Sequence, residues 1–206
     1  MNDNRVLKKW ATRAVSICGV LLFPLCAVNP GMAASSWPSW LKPTRLDLKS
    51  GYAYQYTNNS RPNNFEYIPI LPSAVIPISR SMGPSWLRGH FEWNPEIFYA
   101  TFIHPYCRPL FGITPLQFRY ALETKSRWKP YGFLGAGVLY ANIDRRETDS
   151  HINFNPQGGI GAYYDLNEKT SLILEYRHTH ISSAGIRDNN AGLNTHTFLV
   201  GVSVKE

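Results

Sequence analysis

The chain has 206 residues, enough for one domain with a sizeable core or for one small barrel. Only 17% of the residues are charged while 14% are aromatic, a balance that excludes a disordered chain and gives no ground for a nucleic-acid partner. The formal net charge is +7; the first 33 residues hold Arg5, Lys8, Lys9 and Arg13 against Asp3, so without them it is +4, which suits an anionic membrane surface.

Residues 1–33 read as a secretory signal peptide. Lys8, Lys9 and Arg13 form a basic start, and Ala14 to Val28 is apolar apart from Ser16, Gly19 and Pro24. Gly31 and Ala33 then supply small residues before a cut after Ala33. The apolar run is too short for a span of ~20 residues and ends in Pro30-Gly31. The expected organisation is therefore a signal peptide over 1–33 and one folded unit over 34–206. Export leaves Cys107 as the only cysteine, so no intramolecular disulfide forms.

The mature chain has no apolar run long enough for a membrane helix and no sustained helical periodicity. It shows period-2 alternation instead. Leu46, Leu48, Tyr52, Tyr54 and Tyr56 alternate with Asp47, Lys49, Gly51, Ala53 and Gln55. The segment 65–78 is proline-rich and makes the poorest strand, with a bulge expected. Leu87, Phe91 and Trp93 alternate with Arg88, His90 and Glu92, and Leu116, Phe118, Tyr120 and Leu122 with Gln117, Arg119 and Ala121. Further strands follow at 129–142, 152–164 and 171–182, and Phe198, Val200, Val202 and Val204 mark the last.

That makes eight strands. Connections 58–64, 99–109, 143–151 and 183–194 read as long, and 79–85, 124–128 and 165–170 as short. The fold expected is all-β: an eight-stranded antiparallel up-and-down transmembrane β-barrel, with short periplasmic turns and longer extracellular loops. A secreted soluble sandwich would also alternate. The aromatic clusters on the apolar face favour the membrane barrel, as interfacial girdles do. The opposite face carries Lys, Arg, Glu and Asn, which predicts a filled polar lumen.

Strand parity then locates the candidate chemistry. On 171–182, Leu172, Leu174 and Tyr176 face lipid, so His178, His180 and Ser182 do too, while Glu175, Arg177 and Thr179 face the lumen. On the last strand Asn194 and His196 point outward with Phe198 and Val200. Polar groups on a lipid-facing wall carry a desolvation cost. For His178 and His196 a place in the headgroup layer answers it. His180 and Ser182 are two apart on one strand, so an imidazole can serve a neighbouring hydroxyl as general base. His178 and His180 lack a Cys or carboxylate to complete a metal site, and neither a phosphate-binding loop nor a dinucleotide fingerprint is present. No cofactor is expected.

The run His180-Ile-Ser182-Ser183-Ala184-Gly185, followed by Asn190-x-Gly192 and a final strand, resembles the outer-membrane lipid A 3-O-deacylases (PagL type). That family's motif is His-x-Ser-Asn-Ala-Gly, then Asn-x-Gly-x-Glu. The resemblance implies an exported eight-stranded barrel in the bacterial outer membrane whose catalytic groups lie on the lipid-facing wall. It implies a carboxylic ester hydrolase that removes the 3-linked hydroxyacyl chain of lipid A, with lipopolysaccharide as its partner. Ser182 would be the nucleophile and His180 its base. Gly185 N–H and Ser183 would serve the oxyanion, and Asn190 the loop.

Two positions depart from the motif: Asn194 stands where the family has the histidine-orienting Glu, and Ser183 where it has an Asn. The alternative is therefore a disarmed or non-catalytic barrel that binds lipopolysaccharide or is structural. Glu175 cannot replace the Glu, since its parity points inward, whereas Asp188 lies in the loop near the site. Arg61, Arg145, Arg146 and Arg187 fall in long connections, where they would meet lipid A phosphates. Acyl-chain preference and homo-oligomerisation are left open by the sequence.

Overall fold

The structure is a computed structural model that describes residues 42–56, 64–143, 148, 150–186 and 191–206. The signal-peptide segment, Arg61, Arg145, Arg146, Arg187, Asp188 and Asn190 lie outside the described residues.

Alternation of outward apolar and inward side chains builds β1 (Arg45–Gln55), β2 (Glu66–Pro77), β3 (Gly89–Trp93), β4 (Glu96–His104) and β5 (Arg108–Leu122). The chain continues through β6 (Trp128–Ala141), β7 (Ile152–Phe154), β8 (Gln157–Asp165), β9 (Thr170–Ile181) and β10 (Leu193–Lys205). All pairings are antiparallel. β1 pairs with both β2 and β10, so the sheet closes into a ring without an edge.

Ten segments make eight wall strands. β3 and β4 both lie between β2 and β5, and β7 and β8 both pair with β6. Each pair is one strand interrupted at an Asn-Pro step, Asn94-Pro95 or Asn155-Pro156. Proline cannot donate to the ladder. At the first break Asn94 Nδ2 supplies a donor to Ala74 O on β2 at 2.7 Å. At the second the backbone N–H of Asn155 keeps its bond to Gly137 O at 3.1 Å, and its side chain donates to Thr114 Oγ1 on β5 at 3.1 Å. In proline-rich β2 the bulge falls between Glu66 and Tyr67.

The expected connection at 99–109 is corrected. It is mostly strand, since β4 runs to His104 and β5 starts at Arg108. Ile97, Tyr99 and Ile103 face outward while Phe98, Ala100 and Phe102 are fully or almost fully buried. With both faces apolar the period-2 signal disappears. Cys107 lies exposed in the short turn between these strands.

The filled polar lumen occupies only part of the interior. Towards the end bearing the 56–65 and 182–192 connections the interior is apolar, packed with Phe65, Tyr67, Phe98, Phe102, Leu110, Leu139, Ile181 and Leu193. Ion pairs fill the middle. Lys49 Nζ lies 2.9 Å from Glu96 and 3.1 Å from Glu175. Arg177 bonds both carboxylates, reaching Glu96 at 2.7 Å. Arg119 pairs with Asp47 and donates to Tyr163 and Asn94. The barrel is thus a packed core in which every one of these charges meets its opposite.

Candidate active site

The β9–β10 hairpin places Asn194 directly opposite His180, His196 opposite His178, and Phe198 opposite Tyr176. Directly opposed residues on one face of a ladder touch. These three rungs alternate with buried Thr179, Arg177, Thr195 and Thr197, so they form the outer face, as parity predicts.

His180 is held from several sides. Its Nδ1 lies 2.8 Å from Asn194 Oδ1. Since an amide oxygen only accepts, Nδ1 carries the proton and Nε2 keeps its lone pair, the tautomer a general base requires. The backbone on each side is fixed as well. His180 N donates to Pro156 O at 2.9 Å, across the second Asn-Pro break, and Asn194 O accepts from Tyr56 N at 3.2 Å. Gly192 forms the remaining wall. Its φ is +73°, and a Cβ there would come within 2.6 Å of His180 Cε1 and 3.2 Å of Nε2. Both the backbone and the space therefore demand glycine. Gly192→Ala is expected to push the ring off Asn194 and slow any reaction that uses His180 as base about a hundredfold while the barrel stays folded. The displaced ring would show as a changed His180 imidazole NMR signal, and an unchanged signal would show that Gly192 does not set the ring position.

Ser182 follows His180 on the same face, at the last rung of the sheet. Its N and O pair with Phe154 O and N at 3.1 and 2.7 Å, and it is 7% exposed. Among the described residues its Oγ makes no hydrogen bond. The loop then turns sharply. Ser183, fully buried, accepts Ile186 N at 3.1 Å, with Ala184 at φ 52° and Gly185 at φ 80°. Two consecutive left-handed residues make a primed turn. The N–H groups of Ala184 and Gly185 are bonded to no described residue.

The structure thus brings His180 and Asn194 into contact; Ser182 lies two residues along the chain from His180 with no hydrogen bond to it, and the Ser183–Ile186 turn follows. Glu175 is elsewhere, in the lumen with Lys49, Tyr131 and Arg177. Among the described residues no group of three His, Cys, Asp or Glu is placed to hold a metal.

Sequence reasoning missed the ring cluster below the site. His196 stacks on Tyr56 at 4.4 Å, lies 5.5 Å from both Tyr54 and His178, and accepts or donates through Nδ1 to Tyr176 Oη at 2.7 Å. Outward parity was legible for each residue; the register joining β1, β10 and β9 was not.

The sequence profile of the lipid A 3-O-deacylase (PagL) family matches residues 33–203. The chain belongs to the lipid A 3-O-deacylase family. It is accordingly an outer-membrane β-barrel of a hydrolase family. Among solved structures it is similar to the outer membrane enzyme PagL, with TM-score 0.58 and 20% identity over 75% of this chain and 97% of that one. It is also similar to Neisserial surface protein A (NspA), with TM-score 0.56 and 16% identity over 79% of this chain and 96% of that one. At these identities the two likenesses speak for the fold. No curated protein sequence matches the chain.

Proposed function

We propose that this protein hydrolyses the 3-linked acyl ester of lipid A in the outer leaflet, with Ser182 as nucleophile and His180 as general base. The observation that carries the reading is the 2.8 Å contact of His180 Nδ1 with Asn194 Oδ1 on the outer wall, beside Ser182. A lipid-facing site matches a substrate that never leaves the bilayer. Ser182 Oγ attacks the ester carbonyl and His180 Nε2 takes its proton. The N–H groups of the Ala184–Gly185 turn, open on the described side, suit the oxyanion. Return of the proton to the sugar 3-oxygen releases the alcohol. Water, deprotonated by the same imidazole, then cleaves the acyl-Ser182 ester and frees the fatty acid.

Asn194 supports the second reading, of a disarmed barrel. Its amide fixes the tautomer, yet it brings no negative charge to the imidazolium that forms during attack. The test is release of 3-hydroxy fatty acid from lipid A in detergent micelles. The parent is expected to be active. Asn194→Ala is expected to lose about fivefold, the worth of one neutral hydrogen bond of about 1 kcal/mol. Asn194→Glu is expected to gain about tenfold, since a charge-assisted bond is roughly twice as strong. An inactive parent with an active Asn194→Glu variant would establish the disarmed reading instead.

A further inference from the structure

We propose that His178 and His196 recognise the hydroxyl group of the substrate's acyl chain, so that the site selects 3-hydroxyacyl esters over plain acyl esters. The inference deepens the deacylase reading and rests on it.

The two imidazoles form the rung next to His180–Asn194, on the side away from the 182–192 connection. The next rungs along the wall are Tyr176–Phe198 and Leu174–Val200, and Phe198, Leu174 and Val200 are exposed. His178 and His196 therefore lie between the reacting centre and the apolar band, along the path that an acyl chain must take from the scissile carbonyl into the bilayer. Polar groups in that position are costly unless something bonds them. His196 Nδ1 meets Tyr176 Oη at 2.7 Å. His196 Nε2 and both nitrogens of His178 have no hydrogen-bond partner among the described residues. The rings are nonetheless fixed, His196 by Tyr56 and Tyr54, and His178 by Tyr56 at 5.8 Å and by His196.

The chemistry of the substrate supplies a match. Primary acyl chains of lipid A carry a hydroxyl on their third carbon, two carbons beyond the ester carbonyl. Two residues along a strand span roughly 6.8 Å. With the carbonyl at Ser182–His180, that hydroxyl falls toward the next rung, where an imidazole nitrogen and a hydrogen bond of about 2.8 Å close the remaining gap. A hydroxyl both donates and accepts, as a neutral imidazole pair does. Tyrosines alone would suffice for an interfacial belt. The paired imidazoles add a polar grip at the one height where the chain itself is polar.

The test uses the full-length barrel refolded in detergent and two synthetic diacyl glucosamine 1-phosphates, identical except that the 3-O-linked tetradecanoyl chain carries or lacks its 3-hydroxyl. The parent is expected to favour the hydroxylated ester in kcat/KM by about tenfold or more, because a site built to bond a hydroxyl leaves polar groups unpaired without it. His178→Phe and His196→Phe should bring the ratio close to one. His178→Gln, which keeps a donor and an acceptor, should retain part of it and serves as the second variant if a Phe variant does not fold, with heat-modifiable gel migration as the check. Equal turnover of the two esters by the parent, or an unchanged ratio in the variants, overturns the inference and leaves the deacylase reading standing. Turnover of neither ester by the parent removes both.

Discussion

Ser182→Ala is expected to lower fatty-acid release by about a thousandfold or more, and His180→Ala to do the same. The double variant should be no worse than either single one, because nucleophile and base act as a unit and their losses do not add. The barrel should survive both changes. Ser182 is held through its backbone pairing with Phe154, which alanine keeps. His180 is half-buried on the outer face and belongs to none of the ion pairs inside. Unchanged heat-modifiable migration together with lost release is the expected pattern. Undiminished release by Ser182→Ala would remove the mechanism, since among the described residues the partner of Ser182 at that rung is Phe154, which has no hydroxyl.

The largest effect on stability is expected at Arg177. Its guanidinium, 1% exposed, joins Glu96 and Glu175 across the lumen and also donates to Gln157 at 3.1 Å. Arg177→Ala leaves two buried carboxylates with Lys49 as their one ion-pair partner among the described residues, and Tyr131 as a neutral donor to Glu175. Removing one partner of a buried ion pair costs about 3–5 kcal/mol, because the remaining charge is stranded. The urea midpoint of unfolding in detergent should fall steeply. The triple variant that adds Glu96→Gln and Glu175→Gln should recover part of the loss, since neutral amides tolerate burial better than unpaired charges. An unaltered midpoint in Arg177→Ala would show that the network adds nothing to the folded state.

Much of the wall was legible in the sequence because lipid outside and polar groups inside write a period of two. β1, β9 and β10 follow that rule closely, and the parity that put His180, Ser182 and Asn194 outside used nothing else. Where the rule failed, the cause is physical. Phe98, Ala100 and Phe102 fill an apolar section of the lumen, so β4 is hydrophobic on both faces and reads as no strand at all. The wall passes through Asn155-Pro156, as the strand read over 152–164 implies, and through Asn94-Pro95, where the Asn94 side chain supplies a donor to Ala74 O. The candidate site was legible as a motif and a parity, but its geometry was not. The contact between His180 and Asn194 depends on a register that spans fourteen residues of chain. The glycine wall at Gly192 depends on a positive φ that no pattern displays. The ring cluster around His196 gathers three strands, one of them from the opposite end of the barrel sequence.

The most direct test of the central claim is mass spectrometry of lipid A from cells that make the parent protein, the Ser182→Ala variant, or neither. The account predicts lipid A lighter by one 3-hydroxyacyl chain at a 3-position in cells making the parent alone. Lipid A of identical mass in all three, with the parent confirmed as a folded barrel in the outer membrane, would contradict it.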